Sequence, residues 1–267
     1  MPSVDAGGSE LHYLRAGGGE PMLLIQGMSA THLTWGRPFL SLLEQSFDCI
    51  VYDHRGMGLS GRGELPFTTA DLAGDAVGLL DALEVERAHV VGISMGGMVA
   101  QELALAHPER LRTLTLGATY CGGPEGSLMA PEDLQLLGVA MASGEREQVF
   151  RAMWEINLSP GFREDDSRFA AFEEMAKALP APQPVILQQM RACSAHCTSD
   201  RLGRLSIPTL VIHGDEDRLL GSNNGQEITS LVPAARLELL EGVGHMFWWE
   251  QPRRSAELIR DHALAPV

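Results

Sequence analysis

The segment Ala88-His89-Val90-Val91 runs directly into Gly92-Ile93-Ser94-Met95-Gly96, and an Ala/Leu-rich helical pattern follows from Gly97 to His107, stopped by Pro108. Few arrangements constrain a chain more. A buried strand has to end, turn into a helix at once and leave a serine on the bend. Glycines on either side remove Cβ atoms that such close backbone segments would strike. The helix N-terminus behind Ser94 points free N–H groups and positive partial charge at the hydroxyl, which favours a developing oxyanion. Five residues of this kind recur by chance; the strand before and the helix after give them weight.

The rest of the chain supplies more of the same alternation. Met22–Ile25, Cys49–Tyr52, Val90–Ile93 and Thr209–Ile212 are short apolar runs, each closed by a turn residue. Runs without alternation suit strands buried on both faces of a parallel sheet. Between them, Thr69–Leu83 carries Leu72, Ala76, Leu79, Leu80 and Leu83 at helical spacing, with Thr69 as N-cap. Strand-helix alternation predicts right-handed crossovers and a doubly wound α/β sheet. Ser9–Leu14 alternates at its start, as an antiparallel edge strand would. After Leu116 the rhythm changes. From Cys121 to Arg204 the pattern is helical only, over Pro131–Ala142, Glu145–Ile156, Arg168–Leu179 and Pro184–Ser194, punctuated at Pro160-Gly161 and Pro180–Pro184. This stretch predicts a helical insertion, or lid, between two strands, rich in Met129, Met141, Met153, Met175 and Met190. Methionine fills irregular gaps, either as core or as an adaptable pocket wall.

Length and charge narrow the class. The chain has 267 residues, enough for one large α/β domain. With 20 Lys and Arg against 35 Asp and Glu, its formal charge of −15 repels phosphate backbones and anionic lipid, so neither nucleic acid nor a membrane is an expected partner. No run approaches the ~20 apolar residues that span a bilayer, and residues 1–20 lack a signal-peptide pattern. The four cysteines, Cys49, Cys121, Cys193 and Cys197, do not form a disulfide framework. A cytoplasmic protein is expected. Cys193-Ser194-Ala195-His196-Cys197 groups soft ligands, but a closed zinc site wants four and no second pair has suitable spacing; no metal or other cofactor is expected.

A serine hydroxyl is a weak nucleophile until a base takes its proton and a third group orients that base. Downstream of Ser94, the strand Leu210–Ile212 ends in His213-Gly214-Asp215-Glu216-Asp217. Further on, Glu241-Gly242-Val243-Gly244-His245 places a histidine in a loop after the strand-like Leu237–Leu240. Both lie at carboxyl ends of strands, where α/β sheets hold their ligands. His245 is the candidate base. The orienting acid stays open among Asp215, Glu216 and Asp217, the other two being solvated turn carboxylates.

Together these pieces resemble the α/β-hydrolase superfamily, over nearly the whole chain outside the helical insertion. Asp53-His54-Arg55-Gly56-Met57-Gly58-Leu59-Ser60 is similar to its D-x-R-G-x-G-x-S turn, Gly214–Asp217 to its G-x-x-D acid turn, and Val243-Gly244-His245 to its G-H loop. The resemblance implies a mostly parallel doubly wound sheet formed by residues 1–120 and 205–267, with residues 121–204 as the lid. It selects Asp217 as the acid, with Ser94 as nucleophile and His245 as base. It implies backbone oxyanion donors at Met28 and Met95, and a structural role for Arg55; His54 reads as a turn residue. Gln26-Gly27 departs from the family's usual His-Gly, which should change how that loop is pinned without removing backbone donors. Trp35 matches a frequent aromatic, and with Met141, Trp154 and Met246 it is a candidate for the substrate pocket. Trp248-Trp249 divide between packing the last helix and flanking the site mouth.

The resemblance also implies chemistry. Relatives that perform alkyl transfer carry Asp where this chain has Ser94, so acyl transfer through an acyl-enzyme is expected, on carboxylic esters of small to medium uncharged acyl groups. An enol-lactonase, a C–C bond hydrolase, an aromatic polyketide methyl esterase and a perhydrolase or haloperoxidase fit the same residues. A ligand-binding protein without catalysis is the reading from another class. The expected partner is a small-molecule ester or lactone; homo-oligomerisation is left open. A histidine base predicts activity that rises with pH as the imidazole loses its proton.

Overall fold

The structure, a computed structural model, describes residues 2–123, 126–179 and 181–266. Pro180, which opens the Pro180–Pro184 cluster, lies outside the described residues. In chain order the strands are β1 (Ser3–Asp5), β2 (Glu10–Gly17), β3 (Glu20–Ile25), β4 (Phe47–Tyr52), β5 (Ala88–Ile93), β6 (Leu111–Gly117), β7 (Thr209–Gly214) and β8 (Ala235–Leu240). They form one sheet in the order β1-β2-β4-β3-β5-β6-β7-β8. β1 and β2 pair antiparallel, as do β2 and β4; every pairing from β4 across to β8 is parallel. The segment read as an edge strand is therefore antiparallel but not the edge. β1 covers its first half, Ser3 opposite His12. A three-residue strand is too short to display a period.

The helices are α1 (Arg37–Leu43), α2 (Thr69–Ala82), α3 (Met95–Ala106), α4 (Pro131–Ala142), α5 (Arg146–Asn157), α6 (Pro160–Arg163), α7 (Ser167–Lys177), α8 (Gln183–Ala195), α9 (Asn223–Leu231), α10 (Phe247–Glu250) and α11 (Pro252–Ala263). The cap of α2 is Thr68 rather than Thr69: its hydroxyl accepts Asp71 N at 3.2 Å while Asp71 Oδ2 accepts Thr68 N at 2.7 Å. Among the described residues, no helix is long and apolar enough to cross a membrane.

Alternate strand residues feed two apolar layers, as the non-alternating runs require. Leu23, Ile25, Ile50, Val90 and Val211 pack with α2 and α3 on one face. Met22, Leu24, Val51, Val91, Leu210 and Ile212 pack with α1 and α11 on the other. β6 reads Leu-Arg-Thr-Leu-Thr-Leu-Gly and was hidden by its own alternation. It is central nonetheless, and Thr113 is satisfied there by His89 Nδ1 at 2.9 Å.

Between β6 and β7 the described residues form α4 to α8 and one short 3₁₀ turn, with no strand. This segment has an aromatic centre: the Trp154 ring lies 5.3 to 5.9 Å from those of Phe162, Phe169 and Phe172. Met153 and Met175 pack against that cluster, while Met141 and Met190 are exposed. α8 is tied to the sheet domain by Gln188 Nε2, which donates to Phe67 O at 2.6 Å, and by His196, whose Nδ1 lies 3.0 Å from Thr69 Oγ1. His196 is the imidazole of the Cys193–Cys197 group. It serves Thr69 and the core, with Cys197 exposed.

Burial lowers the His196 pKa from 6.5 to about 4, with Glu102 opposing. The native state thus resists a proton that the unfolded chain accepts. Stability from this residue is fully present above pH 6.5 and falls as pH drops toward 4, by about 3 kcal/mol in all. His196→Gln should therefore lose less stability than wild type between those two values in denaturant titrations. Equal losses in the two proteins would show that His196 is not what makes the fold acid-sensitive.

Candidate active site

Ser94 occupies the bend between β5 and α3 with φ 56 and ψ −123, a left-handed conformation that non-glycine residues adopt rarely. Backbone bonds hold it there. Ser94 N donates to Gly117 O at 2.9 Å, and Ser94 O accepts Thr119 Oγ1 at 2.7 Å. The first turn of α3 lies against the end of β3 so closely that a Cβ on Gly96 would come within 2.1 Å of Ile25 O. The expected tight approach is thus met at that glycine.

The loop after β3 runs beside the serine. A Cβ built on Gly27 would lie 3.0 Å from Ser94 Cβ and 3.5 Å from its Oγ. Met28 follows, half-buried against the α2/α3 layer, and Met95 is buried in that layer. Gln26 Oε1 accepts Gly27 N at 2.9 Å, and Gln26 O lies 2.9 Å from His54 Nε2. A carbonyl can only accept, so His54 carries its proton on Nε2. His54 is accordingly more than a turn residue: it is buried and pins the segment from below, and burial pushes its pKa down. From above, Ser29, at φ 61, donates its N–H to Gln189 Oε1 of α8 at 2.9 Å. These partners hold the backbone on either side of Gly27, while the Gln26 side chain bonds Gly27 N through Oε1 and leaves its buried Nε2 without a hydrogen-bond partner.

Of the three carboxylates after β7, Asp215 and Glu216 are exposed and Asp217 is buried. Asp215 Oδ1 accepts Gly242 N at 2.7 Å and so ties its turn to the next loop. Asp217 Oδ2 lies 2.8 Å from His245 Nδ1, and Oδ1 accepts Leu219 N and Leu220 N at 2.9 Å each. A second imidazole, His213, places Nε2 3.2 Å from the same Oδ2 and 2.6 Å from Leu220 O. Burial works to raise the Asp217 pKa. The His245 charge and hydrogen bond, with the neighbouring His213 imidazole, outweigh it and hold the carboxyl well below its usual range. Because the carboxylate can only accept, His245 bears its proton on Nδ1 and keeps the Nε2 lone pair for a reacting hydroxyl.

The pocket candidates scatter. Met246 is buried directly beside His245, and its N–H donates to Asn157 O at 3.0 Å. Trp154 sits in the aromatic centre of the helical segment. Trp35 is fully buried between Phe39 and Trp248, each ring 5.8 Å away. Met141 is 57% exposed on α4 and stands outside both apolar layers. Trp248 and Trp249 both donate their indole N–H to Thr34 O, at 3.0 and 2.8 Å. Arg55 makes a bidentate pair with Asp75, 2.6 Å on each arm, consistent with a structural role. The one grouping of metal-ligand side chains among the described residues is His12, His32 and Asp53, all buried with candidate atoms within 4.8 Å. Asp53 already accepts His32 N, His32 Nδ1 and Leu59 N at 2.7, 3.0 and 2.9 Å, so its carboxylate serves the turn. Gln189 and the His54 contact escaped the sequence reading because neither is marked by spacing; His213 stood in the acid-turn segment without an assigned role.

Known proteins extend this picture. The profile of the alpha/beta hydrolase fold family matches residues 20–252. The chain is 32% identical over 249 residues, 92% of each sequence, to the protein provisionally named carbamate hydrolase RutD of Azorhizobium caulinodans. It is 30% identical over 252 residues, 84% of each, to rhodomycin D methylesterase DauP of a Streptomyces strain. The crystal structure of the enol-lactonase from Burkholderia xenovorans LB400 superposes with a TM-score of 0.84 at 24% identity, covering 98% of this chain and 99% of that one, a likeness of fold. Since the family match takes in both flanks of the helical segment and the segment itself, this chain belongs to the α/β-hydrolase fold family.

Proposed function

We propose that the protein is a serine hydrolase that cleaves carboxylic esters of small to medium uncharged acyl groups. The observation that carries the reading is the buried Asp217–His245 pair at 2.8 Å, coupled with a serine held left-handed at the head of a helix. Ser94 Oγ attacks the ester carbonyl as His245 Nε2 takes its proton, and the oxyanion faces Met28 N and Met95 N. His245 then gives the proton to the departing alcohol, leaving an acyl-enzyme. Water, deprotonated by the same nitrogen, releases the acid. Residues 121–204 act as the lid, and Met246 lines the pocket.

Two features favour a neutral acyl group. Arg218, the residue after Asp217, is paired with Asp133 and Glu155 of the helical segment, and Arg55 is paired with Asp75. Neither guanidinium is left for a substrate carboxylate. Of the relatives, the methylesterase carries out the reaction class proposed. The same residues would serve a lactone, a carbamate or a C–C bond, and turnover on a substrate panel separates these.

The test is intact-protein mass after a stoichiometric fluorophosphonate, with turnover on a panel of p-nitrophenyl esters. One adduct per chain and ester turnover are expected. Folded protein that takes no adduct and turns over no ester would replace this reading with a ligand-binding protein on a hydrolase fold.

A further inference from the structure

The loop that carries His245 is held on both sides by groups outside it. After the histidine, Met246 N donates to Asn157 O at the end of α5, 3.0 Å away. Before it, Gly244 N donates to Glu250 Oε1 at 3.0 Å. Glu250 closes α10, yet its carboxylate makes two further bonds across the chain. Oε1 accepts Ser159 N at 2.8 Å and Oε2 accepts Ser159 Oγ at 2.6 Å. Ser159 lies at the α5–α6 junction and is 1% exposed. The three parts approach so closely that a Cβ on Gly244 would sit 2.7 Å from Ser159 N and 2.9 Å from Glu250 Oε1. A glycine just before the base is thus explained by packing, not by a need for unusual φ.

We propose that Glu250 is a positioning residue for His245: its carboxylate clamps the base loop to the helical segment, so that the seating of α5 and α6 and the aim of the imidazole are set together. The role rests on the reading of Ser94 and His245 as catalytic. Burial alone would make a carboxylate costly there, and it does push the Glu250 pKa upward against three donors. None of those donors belongs to α10. The helical segment reaches the other loops too, through Gln189 on Ser29 and through Asp133 and Glu155 on Arg218 beside Asp217. Glu250 differs in bonding a peptide directly adjacent to the base.

The experiment measures p-nitrophenyl butyrate turnover per site labelled by a fluorophosphonate, in wild type and three variants. Glu250→Ala should lower kcat per labelled site roughly thirtyfold to a hundredfold, with KM within about threefold, because a small misplacement of the base costs turnover. In Glu250→Gln the amide oxygen can accept both N–H groups and the amide nitrogen can donate to Ser159 Oγ. That variant should recover to within about fivefold of wild type. Glu250→Asp is one methylene short of holding both partners and should lose about tenfold. It decides the question if the alanine variant does not fold. A purely structural glutamate would lower the labelled fraction while leaving kcat per labelled site intact in the aspartate and alanine variants, and that result overturns the proposal. An unlabelled wild type overturns the serine-hydrolase reading and the positioning role with it. Full labelling with undiminished kcat in the variants overturns the positioning role alone.

Discussion

Replacing Ser94 by alanine should lower ester turnover by roughly ten-thousandfold to a millionfold while leaving the fold intact. The size follows from what one oxygen does. In the mechanism we propose it is the atom that bonds the acyl carbon, so without it His245 has no proton to take from a bound nucleophile. What survives is stabilisation of a water attack by the oxyanion donors and by substrate binding. The fold should hold because the bonds fixing the bend come from the backbone of residue 94, to Gly117 O, Thr119 Oγ1 and Gly97 N. Serine and alanine both carry a Cβ, so the strain at φ 56 is similar in either. Turnover and thermal melting, measured on one preparation of pure variant, check both halves. A variant that melts like wild type and keeps its turnover would remove Ser94 from the mechanism.

The parts of this fold that the sequence displays are those where one residue type answers one physical demand. β3, β4, β5 and β7 are buried on both faces and so read as unbroken apolar runs. β6 answers the same demand differently, with Thr113 and Thr115 buried among leucines, and a pattern search for apolar runs passes over it. β1 is invisible for another reason. Its three residues gain their place by pairing with the adjacent β2 in a hairpin, Ser3 opposite His12 and Asp5 opposite Glu10, and are too few to show a period. Four of the five helices between β6 and β7 were legible by period, within a residue or two at each end; α6 begins at the Pro160-Gly161 pair read as a break, because proline is also at home in a helix's first turn.

The site divides along the same line. Ser94, Asp217 and His245 stand at strand ends in short motifs, where chain order is informative. Several of the groups that hold those motifs in place come from far away in sequence, Gln189 for Ser29 and His54 for Gln26; Glu250 is only six residues from Gly244 but is itself held by the distant Ser159. Each is an ordinary polar residue whose partner is chosen by the fold. His213 is a partial exception, being four residues before Asp217 on the strand that delivers it. Residue type left the surroundings of Trp35 and Met141 open: the first is fully buried and the second is exposed on α4.

Asp217→Asn should lower kcat about ten-thousandfold with little change in KM, through the tautomer of His245 and not through loss of shape. The carboxylate accepts three hydrogen bonds in this structure and is approached by a second imidazole, whose N–H goes to Leu220 O. Leu219 N and Leu220 N donate to Oδ1 and His245 Nδ1 to Oδ2, which His213 Nε2 approaches. An asparagine has one acceptor and one donor end. The two backbone N–H groups cannot change, so the amide oxygen must face them and the NH₂ must face the imidazoles. His245 can meet that NH₂ only by moving its proton to Nε2, the nitrogen that should receive the serine proton. The base is then blocked although every atom keeps its place. Stability carries a second signature. The Asp217 carboxyl is held below its ordinary range, so its contribution is complete above the pKa of an unfolded aspartate and disappears as pH falls through the native value. Wild type should therefore exceed the asparagine variant in melting temperature at neutral pH, and that advantage should shrink as the solution is acidified. A variant within tenfold of wild-type kcat would show that His245 is oriented without Asp217. Such a result would make His213, on the same carboxylate oxygen, or the loop clamp at Gly244 the next place to look for what aims the base.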